Sequence, residues 1–399
     1  MTTAERRTAE RPTAGTPRLL RAINDRAALE ALIAEGPLSR ARLGELTGLS
    51  KPTAAQVLAR LEAAGLVVAA GTRAGGPGPN ARLYQVGPGA GHVAGLDVTR
   101  TEVRVAVAGI TGSTLAERRF PTKGWTAART VARTAEAVAA TVRAAGLAPG
   151  ALREVVVGIG GALDPATGRL RYAAHLPGWH SPRLVAELRT AVGAPVSVEN
   201  DVNLAAVAER TLGAARGHDD FILLWAGTGV GAAVVVGGRT LRGATGGAGE
   251  VGYMPLPGAP VVRQVRRRNS GGFQHLAGAS AVLALARRHG LTARTAARAV
   301  AEATRTPGPG DAFLAGLAGR LALGLASIVA VVDPGLLVLA GEIPAAGGER
   351  LRGAVQDALH ELTIARPEVR SGTVPGSPVL HGALHRALDT ARNALFSTL

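Results

Sequence analysis

Apolar positions follow two different periodicities along the chain, and the change from one to the other lies near residue 90. From Pro17 to Gly65 they recur at helical spacing, which predicts three amphipathic helices. The first helix is expected to bury Ile23, Leu29, Leu32 and Ile33. The third, from Lys51 to Ala64, is expected to bury Ala54, Val57, Leu58 and Leu61. That buried stripe leaves the opposite face of the third helix pointing outward.

Local signals mark the ends of these helices and the strands that follow them. Ser39 and Ser50 stand where a side-chain oxygen can cap the second and third helices. Leu66–Val68 and Ala81–Val86 predict two short strands around a Gly/Pro-rich loop. Three helices followed by a hairpin are typical of a winged helix-turn-helix. We place this domain at residues 17–87, after a flexible arm of residues 1–16.

From His92 onward, short apolar strands alternate with helices, which predicts an α/β domain over residues 92–399. Similar openings at Val93 and Phe221 indicate two related halves. Strands are expected at 93–97, 103–108, 155–159, 196–199, 221–225, 232–236 and 336–340. Helices are expected at 129–145, 184–192 and 202–212.

Charge and composition narrow the class of protein less than these patterns do. The formal net charge is +16, and Lys51 and Lys123 are the only lysines, so the excess is arginine, which suits phosphate or carboxylate partners. A G- and C-rich genome would explain the arginine equally well. The chain has no cysteine, which excludes disulfides and thiolate zinc sites. Its longest apolar run, Leu321–Val332, is shorter than the about 20 residues of a membrane span, so we expect a cytoplasmic protein without membrane contacts.

The outer face of the third helix is the candidate DNA-reading element. Thr53, Gln56 and Arg60 fall together on it, with Lys51 at the helix start. Arg40 precedes this helix, and Arg73 and Arg82 flank the wing loop, which is small enough to approach a minor groove. The candidate DNA contacts are Arg40, Ser50, Lys51, Thr53, Gln56, Arg60, Arg73 and Arg82. The alternative is an interaction domain whose polar face is merely solvated.

Two segments of the larger domain carry candidate ligand chemistry. The turn Gly227–Gly231 lies between two strands, where backbone N–H groups and a hydroxyl could cradle phosphate, although an ordinary hairpin turn also explains it. Glu199-Asn200-Asp201 at a strand end, with Gly249–Tyr253 later, could hold a polyol, and Asp201 could act as a base toward one hydroxyl. The alternative for Asn200-Asp201 is a helix cap.

With these motifs the chain resembles the ROK family of repressors, open reading frames and kinases. In the N-terminal domain, the segments 38–51 and 61–67 are similar to the winged helix of the family's repressors. In the larger domain the resemblance rests on Gly158–Gly161, Leu176–Trp179, Glu199–Asp201, Gly227–Gly231 and Gly247–Glu250. It implies a two-lobed, actin-like ATPase fold of the ribonuclease H-like, sugar-kinase-like type, with sugar held between the lobes. It also implies a homodimer or homotetramer.

Departures from the kinase pattern imply that catalysis is lost. The first phosphate loop of ROK kinases, Asp-x-Gly-Gly-Thr-Lys, is replaced by the segment 97–102, in which side chains fill the approach to ATP. Tyr253 stands in the position of the zinc-binding His, and Val265, Arg267 and Gly272 in those of three Cys, so we expect no metal and no cofactor. The residues that the resemblance implies for effector binding are Gly161, Asn200, Asp201, Glu250, Tyr253 and Gln274.

These patterns lead to the hypothesis of a non-enzymatic repressor that binds a double-stranded DNA operator and responds to a sugar or oligosaccharide. In this hypothesis no residue is catalytic, and Asp201 occupies a vestigial base position. One alternative is an active ROK sugar kinase with Asp201 as its base. Another is a repressor whose larger domain serves only dimerisation or protein contacts.

Overall fold

The chain forms two compact units. The structure is a computed structural model, and it describes residues 17–73, 81–171, 173, 176, 178–262 and 271–397. The first unit comprises the described parts of 1–92 together with 109–113 and 390–397, and the second comprises those of 93–108 and 114–389. The predicted arm, the tip of the wing loop, Pro177, Val265 and Arg267 lie outside the described residues, as does the side chain of Arg73.

The first unit is the predicted winged helix-turn-helix. Its helices are α1 (Pro17–Glu35), α2 (Arg40–Thr47) and α3 (Lys51–Ala63), and its strands are β1 (Leu38–Ser39), β2 (Val67–Arg73) and β3 (Ala81–Val86). The strands pair antiparallel in the order β1-β3-β2, and β1 is too short for its alternation to show in the sequence. The caps are as predicted: Arg42 N donates to Ser39 Oγ at 3.2 Å, and Thr53 N to Ser50 Oγ at 3.4 Å.

The helical stripe of α3 is buried as predicted, whereas one expected core residue of α1 is not. Ala54, Val57, Leu58 and Leu61 are all at most 1% exposed. Leu29 and Leu32 are also buried, but the prediction for Ile23 is wrong, since this residue is 52% exposed. At about 100° per residue, Ile23 lies half a turn away from Leu32. A spacing of nine residues therefore places these two on opposite faces of α1.

Residues far along the sequence complete the first unit. The Arg26 guanidinium of α1 lies over the ring of Phe396, 4.9 Å from its centre. Arg392 donates two hydrogen bonds, at 3.0 and 2.8 Å, to the carbonyl oxygen of Ile110. Residues 390–397 fall within the range predicted for the larger domain. Their contacts with the first unit join segments that no local sequence pattern connects.

The second unit contains two five-stranded sheets. Its remaining strands are β4 (His92–Val98), β5 (Glu102–Gly109), β6 (Thr114–Pro121), β7 (Leu152–Ile159), β8 (Ala162–Leu163), β9 (Leu170–Arg171), β10 (Val196–Asn200), β11 (Phe221–Ala226), β12 (Val230–Val236), β13 (Arg239–Thr240), β14 (Leu336–Ala340) and β15 (Glu368–Ser371). The sheet orders are β10-β7-β4-β5-β6 and β13-β12-β11-β14-β15. In each sheet the first strand neighbours the second strand of its half on one side and a later strand on the other. This repetition confirms the two related halves and the actin-like fold class.

Helices cover these sheets and bury two apolar cores. They are α4 (Thr130–Ala144), α5 (Leu184–Val192), α6 (Asp201–Leu212), α7 (Phe273–Ala277), α8 (Ala279–Arg288), α9 (Ala296–Ala303), α10 (Pro309–Val332), α11 (Glu342–Leu362) and α12 (Pro378–Ser397). Helix α11 is interrupted at Gly348, whose backbone is not helical. Among the described residues, α10 alone is long and apolar enough to cross a membrane, with a mean hydropathy of 1.9. Its Phe313, Leu317 and Leu321 are fully buried in the core of the second half, as in the central helix of a globular domain.

Candidate functional site

The start of α3 presents polar side chains on the outside of the first unit. The Ser50 and Thr53 hydroxyls are 2.8 Å apart, and Ser50 also caps the helix, so this pair fixes the geometry of the first turn. Lys51 and Gln56 are exposed on the same helix. The side chains of Lys51, Thr53 and Gln56 therefore occupy the outward positions expected of a recognition helix.

Arg60, which was predicted for the same face, is held by a partner within the first unit, and its contact with DNA stays a prediction. Its Nε donates to Asp25 Oδ2 at 3.1 Å, and its second guanidinium nitrogen to Oδ1 at 2.5 Å. The Asp25 side chain is only 8% exposed, and its hydrogen bonds raise the pKa of Arg60 above the usual value. A guanidinium held bidentately by a buried carboxylate ties α3 to α1.

Two further predicted DNA contacts surround a buried tyrosine that the sequence analysis did not single out. Arg40 donates to the Tyr84 hydroxyl at 3.1 Å, and the guanidinium of Arg82 lies 5.0 Å from the centre of the Tyr84 ring. Arg82 also donates to Glu62 at 2.6 Å, which joins β3 to α3. Arg40 and Arg82 both remain exposed, and these contacts orient their side chains. Either residue could therefore meet a phosphate from a defined position.

A cleft of about 1660 Å³ lies in the second unit and gathers the predicted effector residues. All six of them line it: Gly161, Asn200, Asp201, Glu250, Tyr253 and Gln274. Two carboxylates that the sequence analysis did not assign to effector binding, Asp97 and Glu342, line it as well. Both stand at the carboxyl ends of strands, β4 and β14, where ligand sites of α/β sheets commonly lie.

The helix-cap alternative for Asn200 describes what its side chain does. Asn200 Oδ1 accepts from Asn203 N at 3.0 Å and so caps α6, while Nδ2 donates to the carbonyl oxygen of Gly161 at 3.0 Å. The neighbouring Glu199 accepts from Arg242 Nε at 2.9 Å, which ties β10 to the loop leading to Glu250. Asn200 therefore positions the cleft wall. Asp201, whose Oδ1 accepts from Val202 N at 2.8 Å, brings a carboxylate to the lining of the cleft.

Carboxyl groups in the cleft are harder to ionise than usual because they are buried near one another. Burial, followed by the charge of Asp97, raises the pKa of Asp201 to about 6. Burial and the charge of Asp201 raise the pKa of Glu250 to about 7. Burial also raises the pKa of Asp97, although its Oδ2 accepts a hydrogen bond from Ser377 at 2.7 Å. A polyol that donates hydroxyls to these groups would replace lost water.

Gln274 lines the cleft, where its effector contact stays a prediction, and its side chain also holds the glycine turn. Its Oε1 accepts from Val230 N at 2.8 Å, and its Nε2 donates to the carbonyl oxygen of Thr228 at 3.2 Å. Within the turn, Gly227 N donates to the carbonyl oxygen of Gly229 at 2.9 Å. The hairpin alternative for this turn therefore describes the structure better than a phosphate cradle. Across the described ranges, no cluster of three or more His, Asp or Glu side chains is arranged to hold a metal ion.

Comparison with known proteins identifies the families that the two units resemble. A model of the ROK family matches residues 93–371. The chain belongs to the ROK family. A model of the MarR family also matches residues 23–76, which cover most of the winged helix-turn-helix.

Relatives of this ROK protein include both kinases and repressors. It is 39% identical to the glucokinase of Thermotoga maritima over 108 residues, which are 26% of this chain and 34% of the glucokinase. It is 25% identical to the xylose repressor of Caldicellulosiruptor bescii over 243 residues, 61% of each chain. The match thus spans less than two thirds of either relative.

The solved structures that resemble this chain also include both a kinase and a transcriptional regulator. The ROK hexokinase from Thermus thermophilus has a TM-score of 0.64 and 29% identity, with 76% of this chain and 99% of the hexokinase covered. A ROK family transcriptional regulator, a homologue of the E. coli MLC protein, has a TM-score of 0.74 and 17% identity, with 95% of this chain and all of that chain covered. At that identity the second likeness is one of fold, and it extends to the N-terminal unit.

Proposed function

We propose that this ROK protein is a DNA-binding transcriptional repressor of carbohydrate-related genes, whose affinity for its operator is modulated by a sugar or oligosaccharide. The observation that carries the proposal is the start of α3, where the Ser50 cap fixes a first turn with Lys51 and Gln56 exposed on a winged helix-turn-helix. The similarity to the xylose repressor, which extends over 61% of each chain, supports the same class.

We assign roles to the proposed DNA-facing residues from their contacts. Gln56 is a side chain that can read a base edge, Lys51 and Arg40 supply charge for phosphates, and Ser50 and Thr53 order the helix start. Arg60 is excluded from this set because Asp25 binds it. A homodimer would present two such helices to a palindromic site whose half-sites are spaced by about 34 to 36 Å.

The cleft supports a carbohydrate as the effector. Asp201 and Glu250 offer carboxyl oxygens that accept hydroxyl groups, and their raised pKa values show how poorly solvated they are without a ligand. The proposal includes no catalysis, because the segment 97–102 lacks the glycines that would admit a triphosphate.

Operator binding measured by fluorescence anisotropy tests the proposal. Full-length protein is titrated onto its own promoter fragment and onto a scrambled duplex, with and without a panel of sugars. Gln56→Ala is expected to weaken specific binding by about 1–3 kcal/mol and to spare non-specific binding. Gln85→Ala, a change of another exposed glutamine of the same unit, serves as the matched control. Equal losses of affinity for both duplexes in Gln56→Ala would show that Gln56 does not read a base. If no sugar changes the operator affinity, the alternative remains that the larger domain serves dimerisation or protein contacts.

A sugar kinase is the second candidate, favoured by one observation. The pKa of Asp201, raised to about 6, is that of a carboxylate that could accept a hydroxyl proton near neutral pH. ATP-dependent phosphorylation of hexoses by the purified chain, abolished by Asp201→Asn, would establish this activity and overturn the non-enzymatic proposal.

A further inference from the structure

The turn between β11 and β12 lines the cleft, and several of its polar backbone atoms are already paired. Val230 N and the carbonyl oxygen of Thr228 both bind the side chain of Gln274, and Gly227 N binds within the turn. A turn that binds phosphate must direct free N–H groups at the anion. Of the N–H groups here, that of Val230 is bound by Gln274 and that of Gly227 by the turn itself.

A carboxylate at the start of α11 also lies against this turn. Glu342 is the first residue of α11, and a Cβ atom added to Gly227 would overlap Glu342 Oε2. The approach is built into the backbone: Gly341 has a φ of 94°, and a Cβ there would overlap the carbonyl oxygen of Ala226. Glycine at 341 allows the start of α11 and the turn to come this close, and glycine at 227 leaves room for the Glu342 carboxylate.

Three carboxylates, those of Asp97, Asp201 and Glu342, line the cleft, as do the side chains of Arg100 and Arg104. Asp97 and Glu342 both line the cleft with Asp201, and the charges of both raise the pKa of Asp201. A phosphoryl group bound near the turn would meet these carboxylates, while the N–H groups of Gly227 and Val230 are already bound. At a separation of about 6 Å and an effective dielectric constant of about 20, one such charge weakens anion binding on the order of 100-fold.

We propose that Glu342 and Gln274 close the turn of residues 227–230 to polyanions, so that the cleft accepts neutral or cationic carbohydrates and rejects nucleoside triphosphates and sugar phosphates. The exclusion of polyanions stands on the contacts of the turn alone, whereas the acceptance of carbohydrates rests on the proposed function. Glu342 is thereby a specificity-determining residue of the cleft. Gln274 positions the turn.

Calorimetric titration at pH 8 with two probes, magnesium-bound AMPPNP and inorganic tripolyphosphate, tests the exclusion. Wild-type protein is expected to bind neither probe at millimolar concentration. Glu342→Gln removes one charge at nearly constant shape and is expected to raise the affinity for both probes by about tenfold or more. Glu361→Gln makes the same change at an exposed position of α11 outside the cleft, and is expected to behave as wild type.

Two results would overturn the proposal: micromolar binding of AMPPNP by the wild type, or affinities for both probes that Glu342→Gln leaves unchanged. Circular dichroism of the variant establishes that it is folded before either result is counted. The titration contains no DNA, so its failure is distinct from a failure of operator binding. Glucose against glucose 6-phosphate, each tested for its effect on operator affinity, then addresses the carbohydrate part: a stronger effect of the phosphate ester would contradict it.

Discussion

Replacing Arg60 tests whether this residue stabilises the first unit through its ion pair with Asp25 or contacts DNA. Arg60→Ala removes a guanidinium that is 37% exposed and leaves a carboxylate that is 8% exposed. Removing one partner of a fully buried pair costs about 3–5 kcal/mol, whereas an exposed pair contributes about 0–1 kcal/mol. Because more than a third of the guanidinium is solvated, we expect a loss between these limits, about 2 kcal/mol.

Hydrogen exchange followed by mass spectrometry is the suitable assay, because tryptophan fluorescence reports on the second unit and not on the first. All three tryptophans, Trp125, Trp179 and Trp225, belong to the second unit. A loss of about 2 kcal/mol should speed amide exchange in the most protected parts of α1 and α3 by about 30-fold, with peptides of the second unit unchanged.

Controls separate the ion pair from a general effect of lost arginine. Arg42→Ala removes an arginine whose pair with Glu45 is 56% and 64% exposed, and should change exchange little. In a double-mutant cycle with Asp25→Asn, the second substitution should cost less once the first is present. Unchanged protection in Arg60→Ala, together with a loss of operator affinity, would refute this reasoning and restore Arg60 as a DNA contact.

Three further predictions concern the second unit. The pKa of Glu250 is about 7 in the folded chain and 4.5 for a free glutamate, so the folded state holds a proton that the unfolded state has lost. Unfolding free energy from urea titration by tryptophan fluorescence should therefore fall as the pH rises from about 4.5 to 7, and Glu250→Gln should flatten this slope. Gln274→Ala should lower the same free energy by about 1–2 kcal/mol, because Val230 N, in a residue only 6% exposed, loses its acceptor; an unchanged midpoint would count against that hydrogen bond. Gly249→Ala forces a Cβ onto the carbonyl oxygen of Ala232 at a φ of 92°, so it should displace Glu250 and abolish the sugar response in anisotropy, with ligand-free operator affinity kept within about twofold.

Features set by neighbouring residues were predictable from the sequence. Ser39 and Ser50 cap their helices through bonds that span three positions, and the buried stripe of α3 follows from helical spacing alone. Most strands of the second unit appeared as apolar runs, but β6 did not. None of its eight residues is fully buried, and its sequence includes Glu117, Arg118 and Arg119, so no apolar pattern marks it.

Features set by long-range pairing were not predictable. Arg60 shares a helical face with Gln56, yet a carboxylate 35 positions earlier binds its guanidinium. Gln274 lines the cleft as the resemblance implied, but its hydrogen bonds go to a turn 44 positions earlier. A pattern can place a side chain on an element and still leave open which distant partner it binds. For Glu342, the one available signal was its place directly after a buried strand.

The pairing of Arg26 with Phe396 has a consequence during synthesis. The parts of the first unit that precede His92 leave the ribosome roughly 300 residues before Thr390, the first residue of the late segment packed with them. At about 5–20 residues per second, that interval lasts roughly 15–60 s. Throughout it, Arg26 of α1 lacks the aromatic ring that it lies over in the folded protein, so a nascent chain would complete its first unit only as translation reaches Phe396.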